Sequence, residues 1–219
     1  MKTWKIAVPV VALAVLTAAS AFASSSKSTN MTNSNSSSSS NGNWTFGING
    51  GATMPTGDFN KVAATGWNFG GQVDYWINSS WAFGGDGAYH AGGAASGVND
   101  ALVADPAFGP GSEYKWSSFQ YGVHAIYQIP TQGASVFPYL QGGMGGYNLT
   151  SKIDGGLSPS SVSSNKFGFN IGAGLDFRAT PTVNLGLNGT YHYVTTDPTA
   201  TNWFGITGRV TFKVPTSSK

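Results

Sequence analysis

Between Phe167 and Arg178 every second residue is apolar: Phe167, Phe169, Ile171, Ala173, Leu175 and Phe177. The residues between them are small or polar: Gly168, Asn170, Gly172, Gly174, Asp176 and Arg178. Successive side chains of a strand point to opposite faces, so this segment predicts a β-strand with one apolar and one wet face. The alternation runs for about the ~9–11 residues that a tilted strand needs to cross a bilayer. Soluble strands are usually shorter, about 5–6 residues.

The same period recurs along the chain. Strands are predicted at 44–54, 66–76, 81–91, 116–129, 136–149, 167–178, 183–194 and 203–214. On the apolar face fall Trp44, Phe46, Ile48, Trp67, Phe69, Val73, Phe83, Tyr121, Val123, Leu187, Ile206 and Val210. The opposite face receives Thr45, Asn49, Asn68, Gln72, Asp74, Asp86, Gln120, Asn188, Thr207 and Arg209. The fifth strand is ambiguous: Leu140 and Met144 favour one face, and Phe137, Tyr139 and Tyr147 the other. A bulge near Gly142-Gly143 would reconcile them. No segment shows the helical spacing of apolar residues.

The connections alternate long and short from first to last, at 55–65, 77–80, 92–115, 130–135, 150–165, 179–182 and 195–202. An even number of strands with short turns on one side and longer loops on the other is the pattern of transmembrane barrels. The expected fold class is all-β: an eight-stranded antiparallel up-and-down transmembrane β-barrel, with short periplasmic turns, longer extracellular loops and both termini periplasmic. Closure removes the edge N–H and C=O groups that hydrocarbon cannot satisfy. Aromatic residues cluster at both strand ends, with Trp44, Tyr75, Trp81, Tyr127 and Phe177 toward the short turns. Trp67, Tyr89, Phe119, Phe167, Tyr191 and Phe204 lie toward the loops, giving two girdles. Glycine pairs at 50–51, 70–71, 84–85 and 142–143 fall inside strands, where they permit bends and close packing in a narrow barrel.

Other segments set compartment and boundaries. Lys2 and Lys5 precede an apolar run, 6–19, and then Ala21-Phe22-Ala23, so residues 1–23 are expected to be a secretory signal peptide. Residues 24–43 are almost wholly Ser, Asn and Thr and are expected to be a flexible linker. The barrel is assigned to 44–214 and a polar tail to 215–219. From residue 44 onward, eight Lys and Arg face nine Asp and Glu, so the basic balance of the whole chain belongs to its N-terminal part and is no argument for nucleic acid. Cysteine is absent, which excludes disulfides and thiolate metal sites.

The folded unit resembles the small outer-membrane β-barrel family, eight-stranded barrels of the OmpA-transmembrane-domain and OmpX kind. The residues that carry the resemblance are Gly50-Gly51-Ala52, the loop Pro55-Thr56-Gly57-Asp58-Phe59, Tyr75, Pro138-Tyr139-Leu140 and Gly172-Ala173-Gly174-Leu175. Phe212 is similar to the last-strand aromatic by which the barrel-assembly machinery recognises such chains. Seven residues follow it, and Thr207 stands where the family has glycine. The resemblance implies a monomer in outer-membrane lipid, with no cofactor, in the cell outer membrane of a Gram-negative-type envelope.

Chemistry-bearing residues are few. Asp74, Asp86, His124, Asp176, Arg178, Arg209 and Lys213 face inward by parity and form the candidate site, a lumen polar network with a structural or gating role. Opposite charges in so narrow an interior should pair. His90 and His192 also face inward, and the three His are expected to be too dispersed to hold a metal. Asp100, Asp105 and Glu113 read as a solvated acidic loop. No Ser lies two residues from a His, so no catalytic group is assigned and an enzyme is not expected. The expected function is a structural or surface-interaction role in the outer membrane. One alternative is a narrow pore for small ions or solutes; another is a soluble periplasmic lipocalin-like barrel, which would need its apolar face inward.

Overall fold

The computed structural model describes residues 43–131 and 135–214. The expected signal peptide, all of the linker but Asn43, and the polar tail lie outside the described residues. The eight strands are β1 (Asn43–Thr56), β2 (Gly66–Trp76), β3 (Trp81–Gly93), β4 (Glu113–Gln128), β5 (Val136–Asp154), β6 (Ser160–Arg178), β7 (Val183–Val194) and β8 (Thr201–Lys213). They form one closed barrel in chain order, every neighbour antiparallel. The seam joins β1 to β8 from Thr45↔Lys213 to Thr56↔Asn202. Beyond it the Val214 N–H still donates to the Trp44 carbonyl at 2.9 Å. Antiparallel order follows from the tight turns, and closure leaves no edge through the hydrocarbon.

Alternation decides which way each side chain points. Phe69, Val123, Ile171, Leu187 and Phe212 are exposed on the outer surface. Asn68, Gln72, Asp74, Asn170, Asn188 and Arg209 are buried inside. An apolar exterior around a polar interior contradicts the lipocalin-like alternative. At the short-turn end Trp44 packs on Tyr75 and Trp81 on Tyr127, with ring centroids 5.0 and 4.8 Å apart. At the other end Trp67 meets Tyr89 at 5.7 Å and Phe167 meets Phe169 at 5.0 Å.

Three expectations are corrected. The β5 ladders run without a break against both β4 and β6, so there is no bulge at Gly142-Gly143. Instead Tyr139 and Tyr147 point inward and are buried, while Leu140 and Met144 face out. The predicted loop 150–165 is mostly strand: β5 and β6 continue as a hairpin and leave only 155–159 as a connection. That stretch carries no lipid face, so no apolar alternation marks it, but its backbone pairs in register. The loop 92–115 contains a seven-residue helix, α1 (Val98–Ala104), too short to show a helical repeat.

Facing is tested by arginine substitution. Ile171 is 64% exposed and Leu187 54%, whereas Asn170 and Asn188 are each 7% exposed. Ile171→Arg and Leu187→Arg are expected to destabilise the barrel by about 2–4 kcal/mol in reversible unfolding in lipid vesicles, the cost of Arg near the midplane. Asn170→Arg and Asn188→Arg escape that lipid penalty.

Candidate functional site

The lumen is a stack of buried side chains supplied by the inward parity of all eight strands. Toward the short turns, β2, β3 and β4 meet at His124. Its Nε2 lies 2.7 Å from Asp74 Oδ1 and its Nδ1 2.8 Å from Asp86 Oδ1. Each ring nitrogen thus faces one carboxylate oxygen, and a single imidazole links the acids of β2 and β3. The carboxylates are held in turn: Gln72 Nε2 donates to Asp74 Oδ2 at 2.8 Å, Thr45 Oγ1 to the same oxygen at 3.3 Å, and Gln120 Nε2 to Asp86 Oδ2 at 2.6 Å. Gly84, opposite Asp74 in the β2–β3 ladder, makes this approach possible. A Cβ there would sit 2.5 Å from Asp74 Oδ1 and 2.9 Å from His124 Nε2.

A second ion pair joins β6 to β8. Arg209 grips Asp176 with two parallel bonds, Nε to Oδ1 at 2.9 Å and Nη2 to Oδ2 at 2.5 Å. Its guanidinium lies 4.1 Å from the centre of the buried Tyr139 ring. Both partners are buried, so the pair meets its desolvation cost through bidentate geometry and the aromatic face. Asp176 thus pairs across the lumen with Arg209 rather than with Arg178, two residues along its own strand. Arg178 stacks 4.9 Å from the Phe137 ring centre, and no ion pair reaches it or Lys213 among the described residues. All seven residues predicted from parity line the interior or its mouth, but they divide into two networks and two free cations.

Toward the loops the lumen is closed by aromatic residues. Trp203, Tyr147 and Val194 are wholly buried. The His192 ring stacks on Trp203 at 5.1 Å and meets His90 at 5.3 Å. The two His come from strands half a turn of the barrel apart, and their rings still meet across the lumen. A barrel of eight strands is only wide enough for side chains to fill. Thr53 Oγ1 lies 3.0 Å from His90 Nδ1, and the Tyr147 hydroxyl 3.1 Å from His192 Nδ1. No group of three or more His, Asp or Glu that would hold a metal exists among the described residues. Between the two plugs remains a cavity of about 60 Å³, lined largely by carboxamides such as Asn68, Gln72, Gln120 and Asn170.

Sequence reasoning missed Tyr139, Tyr147 and Trp203 as lumen residues because aromatics are expected toward lipid. The signal was present: each sits at inward parity with its own strand's polar positions. The acidic loop residues do not form a cluster. Asp105 Oδ1 accepts from the Ala107 N–H, and Glu113 pairs with Lys115 at 3.0 Å. Above the barrel, Glu113 and Asp154 hold the Lys115 ammonium above its ordinary pKa, and Lys152 holds Asp154 below its own.

Removing one member of the buried pair leaves the other charge stranded. Asp176→Asn is expected to cost about 3–5 kcal/mol in vesicle unfolding, and the double variant Asp176→Leu/Arg209→Met less than that single change. A cost below about 1 kcal/mol for Asp176→Asn would show that the pair is solvated.

Comparison with known proteins agrees with this architecture. The crystal structure of Neisserial surface protein A is similar at 20% identity with a TM-score of 0.56, covering 78% of this chain and 97% of that one. Ail, the attachment invasion locus protein of Yersinia pestis, is similar at 18% identity with a TM-score of 0.52, covering 78% and 99%. At these identities the likeness concerns the fold. A search of curated proteins gives no match. The model of the outer membrane protein β-barrel domain matches residues 9–212, and the chain belongs to that family.

Proposed function

We propose that this protein is a structural and surface-interaction component of the outer membrane: a monomeric barrel with a blocked lumen, both termini periplasmic, and its longer loops outside. The observation that carries this reading is the filled interior. Tyr139, Ala82 and Ile126 with the Arg209–Asp176 pair occupy one end, and Tyr147, Val194 and Trp203 the other. The cavity of about 60 Å³ between them has room for a few waters. Catalytic machinery plays no part in the reading. Outer-membrane lipid surrounds the barrel, and the barrel-assembly machinery inserts it, with Phe212 as the recognised aromatic.

The surface-interaction half rests on the outer hairpin. β7 begins to pair with β6 only at Gly168↔Val194, whereas β6 pairs with β5 out to Ser160. Residues 160–166 therefore have a strand on one side and none on the other. An unpaired edge presents free backbone donors and acceptors, which an extended segment of another protein can extend by one strand. Ail was solved with a heparin analogue, sucrose octasulfate. A polyanion is not carried over to this chain, because its predicted loops hold Lys61, Lys115 and Lys152 against Asp58, Asp100, Asp105, Glu113, Asp154 and Asp197.

Two measurements test the reading. Purified protein inserted in planar bilayers is expected to be electrically silent; steady unitary conductance would support the narrow-pore alternative instead. Trypsin applied to intact cells is expected to cleave after Lys152 or Lys166. Cleavage only after the outer membrane is permeabilised would reverse the proposed orientation.

A further inference from the structure

The short-turn mouth of the barrel opens into a vestibule of about 490 Å³, a volume typical of small-molecule sites. One wall is a contiguous row of inward positions. Arg178 on β6 pairs in register with Asn184 on β7, and Asn184 with Thr211 on β8. Lys213 follows Thr211 on the same face, and all four residues line the vestibule. The Arg178 guanidinium lies over the Phe137 ring, 4.9 Å from its centre, and the residue is exposed to solvent.

Among the described residues no ion pair reaches either cation. All nine Asp and Glu of the chain lie within the described residues. Asp176, the acid nearest Arg178 in sequence, spends both oxygens on Arg209. Asp74 is held by Thr45, Gln72 and His124. The other acids are Asp86, bound to His124, and residues of the loops and strand ends at the opposite end of the barrel. Arg178 is a like-charged neighbour of Lys213, on which the Asp176 carboxylate also acts from a distance. An independent observation points the same way: Thr211 Oγ1 and Arg209 Nη1, both able to donate, are buried and have no hydrogen-bond partner among the described residues. Buried polar groups are normally satisfied, and the oxygens of an anion would accept from both.

We infer that the vestibule binds the phosphate group of a small soluble molecule, held by Arg178, Lys213 and Thr211. The Arg edge, the ammonium and the hydroxyl offer donors from several directions, which suits a tetrahedral phosphate better than a planar carboxylate. The site opens to water at the barrel mouth rather than to the bilayer flank, so the source is a solute and not a lipid headgroup. This goes beyond the envelope role and is independent of whether the lumen conducts.

The test is amide-shift mapping by NMR of the full chain folded in zwitterionic micelles, titrated with inorganic phosphate at constant ionic strength. Saturable shifts are expected at residues 176–178, 184 and 211–213. Arg178→Gln/Lys213→Gln is expected to weaken binding at least tenfold, Thr211→Val to weaken it less, and Lys166→Gln, toward the opposite end of β6, to leave it unchanged. Acetate is expected to bind at least tenfold more weakly than phosphate. Heat-modifiable mobility on gels checks that each variant is folded. Shifts that do not saturate, or that persist in the folded double variant, would overturn the site. Equal binding of acetate would overturn the phosphate assignment. Shifts of the same residues in phosphatidylglycerol bilayers without added phosphate would overturn the soluble source.

Discussion

Hydrocarbon offers no partner to a backbone N–H or C=O, and each one left open there costs several kcal/mol. The rest of the barrel follows from that constraint. Eight strands meet it by pairing each with the next and the last with the first, so the β1–β8 seam matters as much as any hairpin. Once the sheet is closed, the period of two becomes a rule of inside and outside. A shift of one residue in any ladder would turn Asp or Arg toward lipid and Phe or Leu into the lumen. The unbroken registers on both sides of β5 show the rule holding even where the sequence looks contradictory.

The interior solves the complementary problem. Eight strands enclose too little space for a solvated channel and too much for backbone alone. Side chains fill it, and because the outer face takes most of the apolar ones, those that remain are largely polar. They are placed so that charges meet: His124 between Asp74 and Asp86, Arg209 against Asp176. Glycine at inward positions supplies the room. A Cβ on Gly186 would run into Arg209 Cγ at 2.8 Å, so the ion pair depends on a residue with no side chain. At the short-turn mouth, among the described residues, Arg178 and Lys213 stand outside any ion pair.

Strand number, order and facing were legible in the sequence because lipid imposes a signal of period two. Phe167–Arg178 carries it without interruption, and its mate β7 nearly so. The signal fades where lipid no longer touches the strand. Residues 150–154 and 160–166 are paired strand, yet Ser, Thr, Lys and Asn stand on both faces and nothing marks them. It also misleads where a large ring is needed inside. Tyr139 and Tyr147 stood on the face opposite Leu140 and Met144 and left the facing of β5 ambiguous; they point inward, where one ring packs on Arg209 and the other's hydroxyl meets His192. Inward parity identified the seven polar residues, but not which would pair. That depends on the stagger of strands around the barrel, which sets Asp176 level with Arg209 and brings His90 to His192, and no local pattern encodes it.

Amide hydrogen exchange of the full chain in lipid bilayers tests closure most directly. Closure requires that amides of residues 46–52 in β1 and 204–210 in β8 be protected as strongly as those of the β4–β5 ladder, with Ile48 and Val210, partners in the seam, among the slowest. Rapid exchange confined to β1 and β8, with the other ladders protected, would mean that the sheet is open at its seam and would contradict the account.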